Sequence, residues 1–184
     1  CLGAVIEQGA MAVVQVIAIT VLAVSAGLFP VRVPGTKNAY TAGEIYVFLL
    51  LLMVGPPAAA VAAAGEAFVG SFRASKRWTS RLFSPASALL SMLLAGAVLH
   101  AALARLQAAG LQGVATTLSA TLLFSALYFF LNAALVSGVF NLKRGESFVQ
   151  AGALLSVFRW VGIAYAGSAS LAALLFFAWQ QQGP

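Results

Sequence analysis

Two carboxylates, Glu44 and Glu66, stand out because each lies within an apolar stretch. They lie eleven residues before Gly55 and ten residues after Pro56, where Gly55-Pro56-Pro57 interrupts the apolar sequence. If the chain folds back at this break, helical rise brings both side chains to a similar depth, ~15 Å from the turn. Ionisable groups among apolar helices usually face an interior, so this pair predicts a site for a cation, a proton or an amine. The open alternative is an ion pair with a nearby cation: Lys37, Arg73 or Lys76.

A stripe of polar residues follows the longest apolar run at spacings of four, four, three and four: Thr117, Thr121, Ser125, Tyr128 and Asn132. These spacings place the stripe on one face of a helix. Such a face avoids lipid, and it either lines a pocket or supplies hydrogen bonds between helices, each contributing ~0.6 kcal/mol. The predicted ligand-binding residues are therefore Glu44, Glu66, Ser125, Tyr128 and Asn132.

The remaining residues give little support to enzymatic chemistry. His100 is the single histidine, and no acidic residue or second histidine stands at helical spacing from it, which disfavours a metal site or a nucleophile–base pair. Cys1 is the single cysteine, so neither a disulfide framework nor a cysteine metal site can form. No glycine-rich segment has the context of a phosphate-binding loop. We predict no enzyme activity in this segment, no cofactor and no metal.

The composition indicates a membrane protein. Hydrophobic residues make up 62% of the chain and charged residues 8%, and the mean hydropathy is +0.99, whereas soluble domains carry ~25% charged residues. An isoelectric point near 10.1 raises the alternative of nucleic-acid binding. However, the cations lie at the ends of apolar runs, where anionic lipid attracts them, and no basic face is interleaved with aromatic residues. The predicted partner is the lipid bilayer, not nucleic acid.

The apolar runs predict an all-α transmembrane bundle of about six helices, since ~20 residues cross the hydrocarbon. The runs are residues 11–29, 42–54, 58–72, 85–106, 114–140 and 160–179, with a shorter piece at 148–157. Two successive prolines remove two amide donors, so Gly55-Pro56-Pro57 predicts the turn of a short hairpin and a hinge. The hairpin either crosses the membrane as two thin arms or re-enters on one side.

Two further patterns concern packing and membrane position. A seam of small residues predicts close helix packing: Ser84, Ser87, Ser91 and Ala95. Arg159 and Trp160 stand between two apolar pieces, which predicts an anchor at the membrane boundary, with anion binding as the alternative.

Charge predicts the orientation. Eight of the ten cations lie in three polar loops, at residues 30–41, 71–84 and 141–147. Counting spans places these loops on one side, and the positive-inside rule makes that side cytoplasmic. The basic residues predicted at the membrane interface are Arg73, Lys76, Arg77 and Arg81.

The chain termini suggest an excised segment. It begins with Cys1, residues 1–6 read as the tail of an apolar run, and it stops at Gly183-Pro184 soon after the last run. We therefore expect residues 1–184 to form a single transmembrane domain truncated at both ends. By the span count both termini face outward, so one further span would return the chain to the cytoplasm.

Residues 43–48, the Val54-Gly55-Pro56-Pro57 turn, residues 66–71 and the basic segment 73–81 resemble the multi-span N-terminal membrane sensor domains of bacterial signalling proteins. The resemblance is strongest over residues 32–81. In that family such domains precede cytoplasmic GGDEF diguanylate cyclase, EAL or HD-GYP phosphodiesterase, or kinase modules. The hairpin is also similar to the S components of vitamin transporters and to LytS-type sensor domains.

This resemblance implies a sensory domain of the bacterial inner membrane. It would couple a small-molecule or membrane signal to a C-terminal output module, whose cyclic-di-GMP chemistry lies outside these 184 residues. Proteins of that family usually form homodimers, so the resemblance also implies a homodimer through the parent chain. The alternative is a solute-binding transport subunit, for which Ser87, Ser91 and Ala95 could form a docking seam that faces lipid.

Overall fold

The computed structural model describes residues 2–29, 31–32, 39–40, 43–74, 76, 78–111, 113–144 and 151–182. Side chains are described for residues 13–29, 43–73, 76, 78–111, 113–136, 138–139 and 161–181. The helices are α1 (Leu2–Ala26), α2 (Glu44–Met53), α3 (Pro56–Ala74), α4 (Trp78–Ala108), α5 (Val114–Arg144) and α6 (Ala151–Gln182). Two short strands, β1 (Val31–Arg32) and β2 (Ala39–Tyr40), pair antiparallel between α1 and α2.

The predicted all-helical class is confirmed, with six helices among the described residues. Within the part of the chain that the structure describes, three segments are long and apolar enough to cross a membrane: Trp78–Ala108, Val114–Val136 and Val161–Gln181. Large apolar side chains on these helices are exposed, among them Leu123 and Ile163, as expected for a surface that faces lipid. The length and the apolar composition of these helices therefore indicate a membrane protein.

Helix α2 is the central element, although it is the shortest helix. It packs against α1, α3 and α6. Val47, Phe48, Leu50 and Leu51 are all fully buried, so the helix is covered on nearly every side. Ten residues rise only ~15 Å, which is about half of the hydrocarbon thickness. Helix α2 is thus too short to cross a bilayer alone.

The break at Gly55-Pro56-Pro57 is confirmed, and its backbone shows why α2 stops. Gly55 has φ +117, which favours glycine, and its amide donates to the carbonyl of Leu50 at 3.2 Å. Pro56 has no amide, and it opens α3 at the position where a helix tolerates proline. The break consequently folds α3 back along α2. The hinge role of these three residues stays a prediction.

The small-residue seam packs inside the bundle. Ser87, Ser91 and Ala95 are buried on α4. A Cβ at Gly96, next along the seam, would lie 3.0 Å from Leu51 and 3.1 Å from Pro56. The predicted close helix packing is thus present, whereas the alternative in which this seam faces lipid as a docking surface is wrong.

Helix α4 begins at Trp78, seven residues before the predicted start at residue 85, and Pro85 lies inside it. Proline removes the amide that would bond to the carbonyl of Arg81. The hydroxyl of Ser71, on α3, lies 3.3 Å from that carbonyl and 2.8 Å from the carbonyl of Phe68. The Arg81 guanidinium also lies over the Phe72 ring, 4.3 Å from its centre. These contacts hold the first turns of α4 helical.

Two predicted polar loops are shorter than expected. Helices α3 and α4 extend into residues 71–84, so only residues 75–77 separate them, and α5 extends to Arg144. At the other end of the chain, α6 is one continuous helix of 32 residues, not two pieces split at Arg159. One charged residue does not break a helix, because helical hydrogen bonds come from the backbone. The side chains of Arg159 and Trp160 lie outside the described residues, so their anchor role stays a prediction.

The basic residues predicted at the interface differ in exposure. Arg73 and Lys76 are exposed, and Arg81 is half-buried. Arg77, like Lys37 in the first loop, lies outside the described residues. The cytoplasmic orientation of the three basic segments stays a prediction.

Phe48 joins α2 to the last two helices. Its ring centre lies 5.3 Å from that of Phe124 and 6.0 Å from those of Tyr128 and Tyr165, in edge-to-face geometry. Edge-to-face aromatic pairs are favourable beyond the area that they bury. This aromatic cluster (Phe48, Phe124, Tyr128 and Tyr165) therefore forms the centre of the core.

Replacing Phe48 with alanine should lower the free energy of unfolding by ~3–5 kcal/mol, because it removes a fully buried ring at the junction of three helices. Phe130→Ala on α5 is the matched control, since that ring is 57% exposed and should lose less than ~1 kcal/mol. Unfolding of the protein in bicelles, titrated with sodium dodecyl sulfate, measures both. Equal losses would contradict the central position of Phe48.

Candidate functional site

The structure brings the two carboxyl groups together inside the bundle. Glu44 opens α2 and is 7% exposed, and Glu66 lies in the middle of α3 and is 3% exposed. The Glu66 carboxyl packs against Gly43, the residue directly before Glu44. Both acids therefore lie at the start of α2. The fold-back at Gly55 therefore sets both acids at the same depth, as their spacing from the turn predicts.

Glycines make room for Glu66 among three helices. A Cβ at Gly43 would overlap the Glu66 carboxyl and lie 2.8 Å from the carbonyl of Ala23 on α1. A Cβ at Gly27, just beyond α1, would lie 2.7 Å from the backbone carbonyl of Glu66. Real Cβ contacts are longer than this, so larger residues at either position would push the helices apart. Close packing of α1, α2 and α3 thus depends on these two small residues.

Tyr165 on α6 completes the group. Its hydroxyl donates a hydrogen bond to Oε1 of Glu44 at 2.8 Å, in a contact that joins residues 121 positions apart. Tyr165 itself is 7% exposed. The second carboxyl oxygen, Oε2 of Glu44, is buried and has no hydrogen-bond partner among the described residues. We call Glu44, Glu66 and Tyr165 the carboxyl cluster.

One predicted residue of the polar stripe adjoins this cluster. Tyr128 is 2% exposed, and its ring centre lies 5.7 Å from that of Tyr165. Ser125 is also buried, but its hydroxyl donates to the carbonyl of Leu122 on its own helix at 2.8 Å. Asn132 is half-buried, with Oδ1 buried and lacking a partner among the described residues. Ser125 and Tyr128 therefore lie on the packed face of α5.

Thr121, one turn earlier in the stripe, also bonds within its own helix. Thr121 is fully buried and donates to the carbonyl of Thr117 at 2.7 Å. Such bonds to the preceding turn satisfy a hydroxyl within its own helix. They bring no polar group toward the carboxyl cluster.

The alternative prediction is that each acid forms an ion pair at the interface, and the structure does not show Arg73 as such a partner. Its guanidinium donates instead to the backbone carbonyl of Leu28 at the end of α1. Lys76 is exposed, whereas both acids are buried. The partner that the structure shows for Glu44 is the hydroxyl of Tyr165.

Sequence reasoning missed Tyr165, and no spacing signal could have found it. A tyrosine in an apolar helix is common near membrane boundaries, and the position of α6 beside α2 is a property of the fold. Tyr165 belongs to the cluster because α6 packs on α2.

The chemistry available to the carboxyl cluster is the binding of positive charge. Carboxyl oxygens accept hydrogen bonds from ammonium groups and coordinate hard cations. Among the residues that the structure describes, no group of three or more His, Cys, Asp or Glu residues could hold a metal ion. A proton, a monovalent cation or an amine fits two carboxyls and a phenol.

Comparison with known proteins identifies no relative: no family model, no curated protein and no solved structure matches this chain. The resemblance to membrane sensor domains therefore stays a prediction from the motifs of residues 32–81.

Gly43→Ala should lower the free energy of unfolding by ~1–3 kcal/mol, because the added methyl group displaces the Glu66 carboxyl or the α1 backbone. The backbone of Gly43 is itself helical, with φ −70 and ψ −16, so the loss is steric. Gly138→Ala on α5 is the matched control. No described atom outside the adjoining backbone of α5 lies within 4 Å of a Cβ there, and alanine should raise the helix stability by ~0.5–1 kcal/mol. Chemical denaturation in bicelles checks both, and a stable Gly43→Ala variant would refute the packing described here.

Proposed function

We propose that this chain is a membrane-embedded sensory domain of a bacterial signalling protein, and that the carboxyl cluster holds its cationic ligand. The domain would pass the signal through α6 and one further span to a C-terminal cytoplasmic output module, such as a diguanylate cyclase, a phosphodiesterase or a kinase. In this proposal it resides in the inner membrane, with its basic segments in the cytoplasm.

The observation that carries the proposal is the unsatisfied oxygen of Glu44. A buried polar atom without a partner costs free energy, and a buried carboxylate costs more. Oε1 already accepts from Tyr165, so the cost falls on Oε2. A ligand that donates a hydrogen bond or brings positive charge would remove this cost, which is a physical reason for binding.

The close packing around Glu66 favours a small ligand. Glu66 packs tightly against Gly43, and helices α1, α2 and α3 enclose it. A small ammonium group can donate several hydrogen bonds at once, whereas a fully alkylated ammonium carries the same charge and donates none. We therefore expect discrimination by N–H donors as well as by charge.

The route of the signal follows from the contacts of α2. Glu44 bonds to Tyr165, and one turn later Phe48 contacts the same tyrosine ring at 6.0 Å between centres. A ligand that changes the position of the Glu44 carboxyl would act on α6. It shifts the population between two packings only if it binds one of them more tightly.

The test uses methylammonium chloride as the probe, and tetramethylammonium chloride as a control of the same charge without N–H donors. The purified chain is placed in nanodiscs at constant ionic strength, and its thermal unfolding is measured as each salt replaces the other. Methylammonium should stabilise the fold in a saturable way, by ~1.4 kcal/mol at ten times its dissociation constant. Tetramethylammonium should not.

Glu44→Gln should abolish this stabilisation, because glutamine keeps the acceptor for Tyr165 but removes the negative charge. Glu7→Gln makes the same change of net charge elsewhere in the chain and should leave the effect intact. The proposal is wrong if methylammonium gives no saturable stabilisation, or if Glu44→Gln retains it in full.

A further inference from the structure

A cavity lies at the other end of the bundle from the carboxyl cluster, beside the turn between α4 and α5. Its volume is about 410 Å³, which is within the range of small-molecule pockets. Helices α2, α4, α5 and α6 all contribute to its wall. The side chains that matter here are His100, Gln107, Thr116, Thr117, Phe176 and Phe177.

His100 connects this cavity to the end of α2. The carbonyl of Leu51 would accept from the amide of Gly55 in a continuous helix, but that amide bonds to Leu50 instead. Nε2 of His100 lies 3.1 Å from the Leu51 carbonyl. A carbonyl only accepts, so we assign the proton to Nε2, which leaves Nδ1 of the neutral ring as a hydrogen-bond acceptor.

The lining chemistry selects against charge. Among the lining residues that the structure describes, none is Asp, Glu, Lys or Arg. The hydroxyls of Thr116 and Thr117 and the amide of Gln107 offer neutral donors and acceptors. Phe176 and Phe177 offer an apolar surface, their ring centres 5.8 Å apart. A charged ligand would lose hydration without gaining a counter-charge.

We infer that this cavity binds a small, uncharged molecule with an apolar ring or chain and a hydrogen-bonding group. The apolar part of this molecule lies against the two phenylalanine rings. Its polar part reaches the side of the cavity that His100, Gln107 and the two threonines line. The site is separate from the carboxyl cluster in both position and charge preference. Its occupant also lies against the imidazole that caps α2.

Three probes of similar size test this inference: benzamide is neutral, benzoate is an anion and benzylamine is a cation. Saturation-transfer NMR on the chain in nanodiscs, with empty nanodiscs as the blank, measures binding of each. Benzamide should bind saturably and at least about fivefold more tightly than either charged probe.

Variants of the cavity wall test whether benzamide binds in this cavity. Ala104 lines the cavity and is itself exposed, so Ala104→Leu and Ala104→Phe should fill it and weaken benzamide binding at least about fivefold without unfolding the bundle. Ala101→Phe is the matched control, because Ala101 is exposed on the same helix and is not part of the cavity wall. It should leave benzamide binding unchanged.

The inference is overturned if benzamide does not bind saturably, or if its binding is the same in the folded Ala104 variants. Binding of benzoate or benzylamine as tight as that of benzamide, and sensitive to Ala104→Phe, overturns the assignment of an uncharged ligand. Benzylamine binding that is lost in Glu44→Gln and kept in Ala104→Phe belongs to the carboxyl cluster. The proposals for the two sites can therefore be refuted independently of each other.

Discussion

A carboxyl group can lie in an apolar helical core only where neighbours supply hydrogen bonds and space, and this constraint shapes the centre of the bundle. Tyr165 supplies the hydrogen bond to Glu44 from the last helix. Gly43 supplies the space for the second acid, Glu66, on the following helix. The Tyr165 contact therefore ties α2 to α6, far apart in sequence, and leaves Oε2 of Glu44 without a partner among the described residues.

Two gaps in the helical hydrogen bonding lie beside prolines, and side chains of other helices approach the carbonyls that lose their helical partner. Pro56 follows the end of α2, and His100 of α4 lies at hydrogen-bond distance from the Leu51 carbonyl. Pro85 removes the amide that would bond to Arg81, and the hydroxyl of Ser71 approaches that carbonyl. In both places a buried backbone acceptor gains a partner across a helix interface. Neighbouring helices are thus linked at positions where a helical hydrogen bond is missing.

The helical class, the break at Gly55-Pro56-Pro57 and the common depth of Glu44 and Glu66 follow from local sequence, because they depend on hydropathy, proline chemistry and helical rise. The helix ends are harder to predict from local sequence, because the early start of α4 depends on Ser71 and on the stacking of Arg81 over Phe72. The role of Tyr165 and the cavity beside His100 could not be predicted from the sequence for the same reason. Each results from the packing of distant helices, which a single sequence does not specify.

The central claim is that a specific interaction between Glu44 and Tyr165 joins α2 to α6, and a double-mutant cycle measures it most directly. Glu44→Leu removes the acceptor, Tyr165→Phe removes the donor, and the free energy of unfolding is compared for the wild type, both single variants and the double variant. Contacting groups in one network give interaction energies of ~0.5–3 kcal/mol. A value of at least ~1 kcal/mol is the result that this account predicts. Additive effects, with an interaction energy near zero, would contradict it.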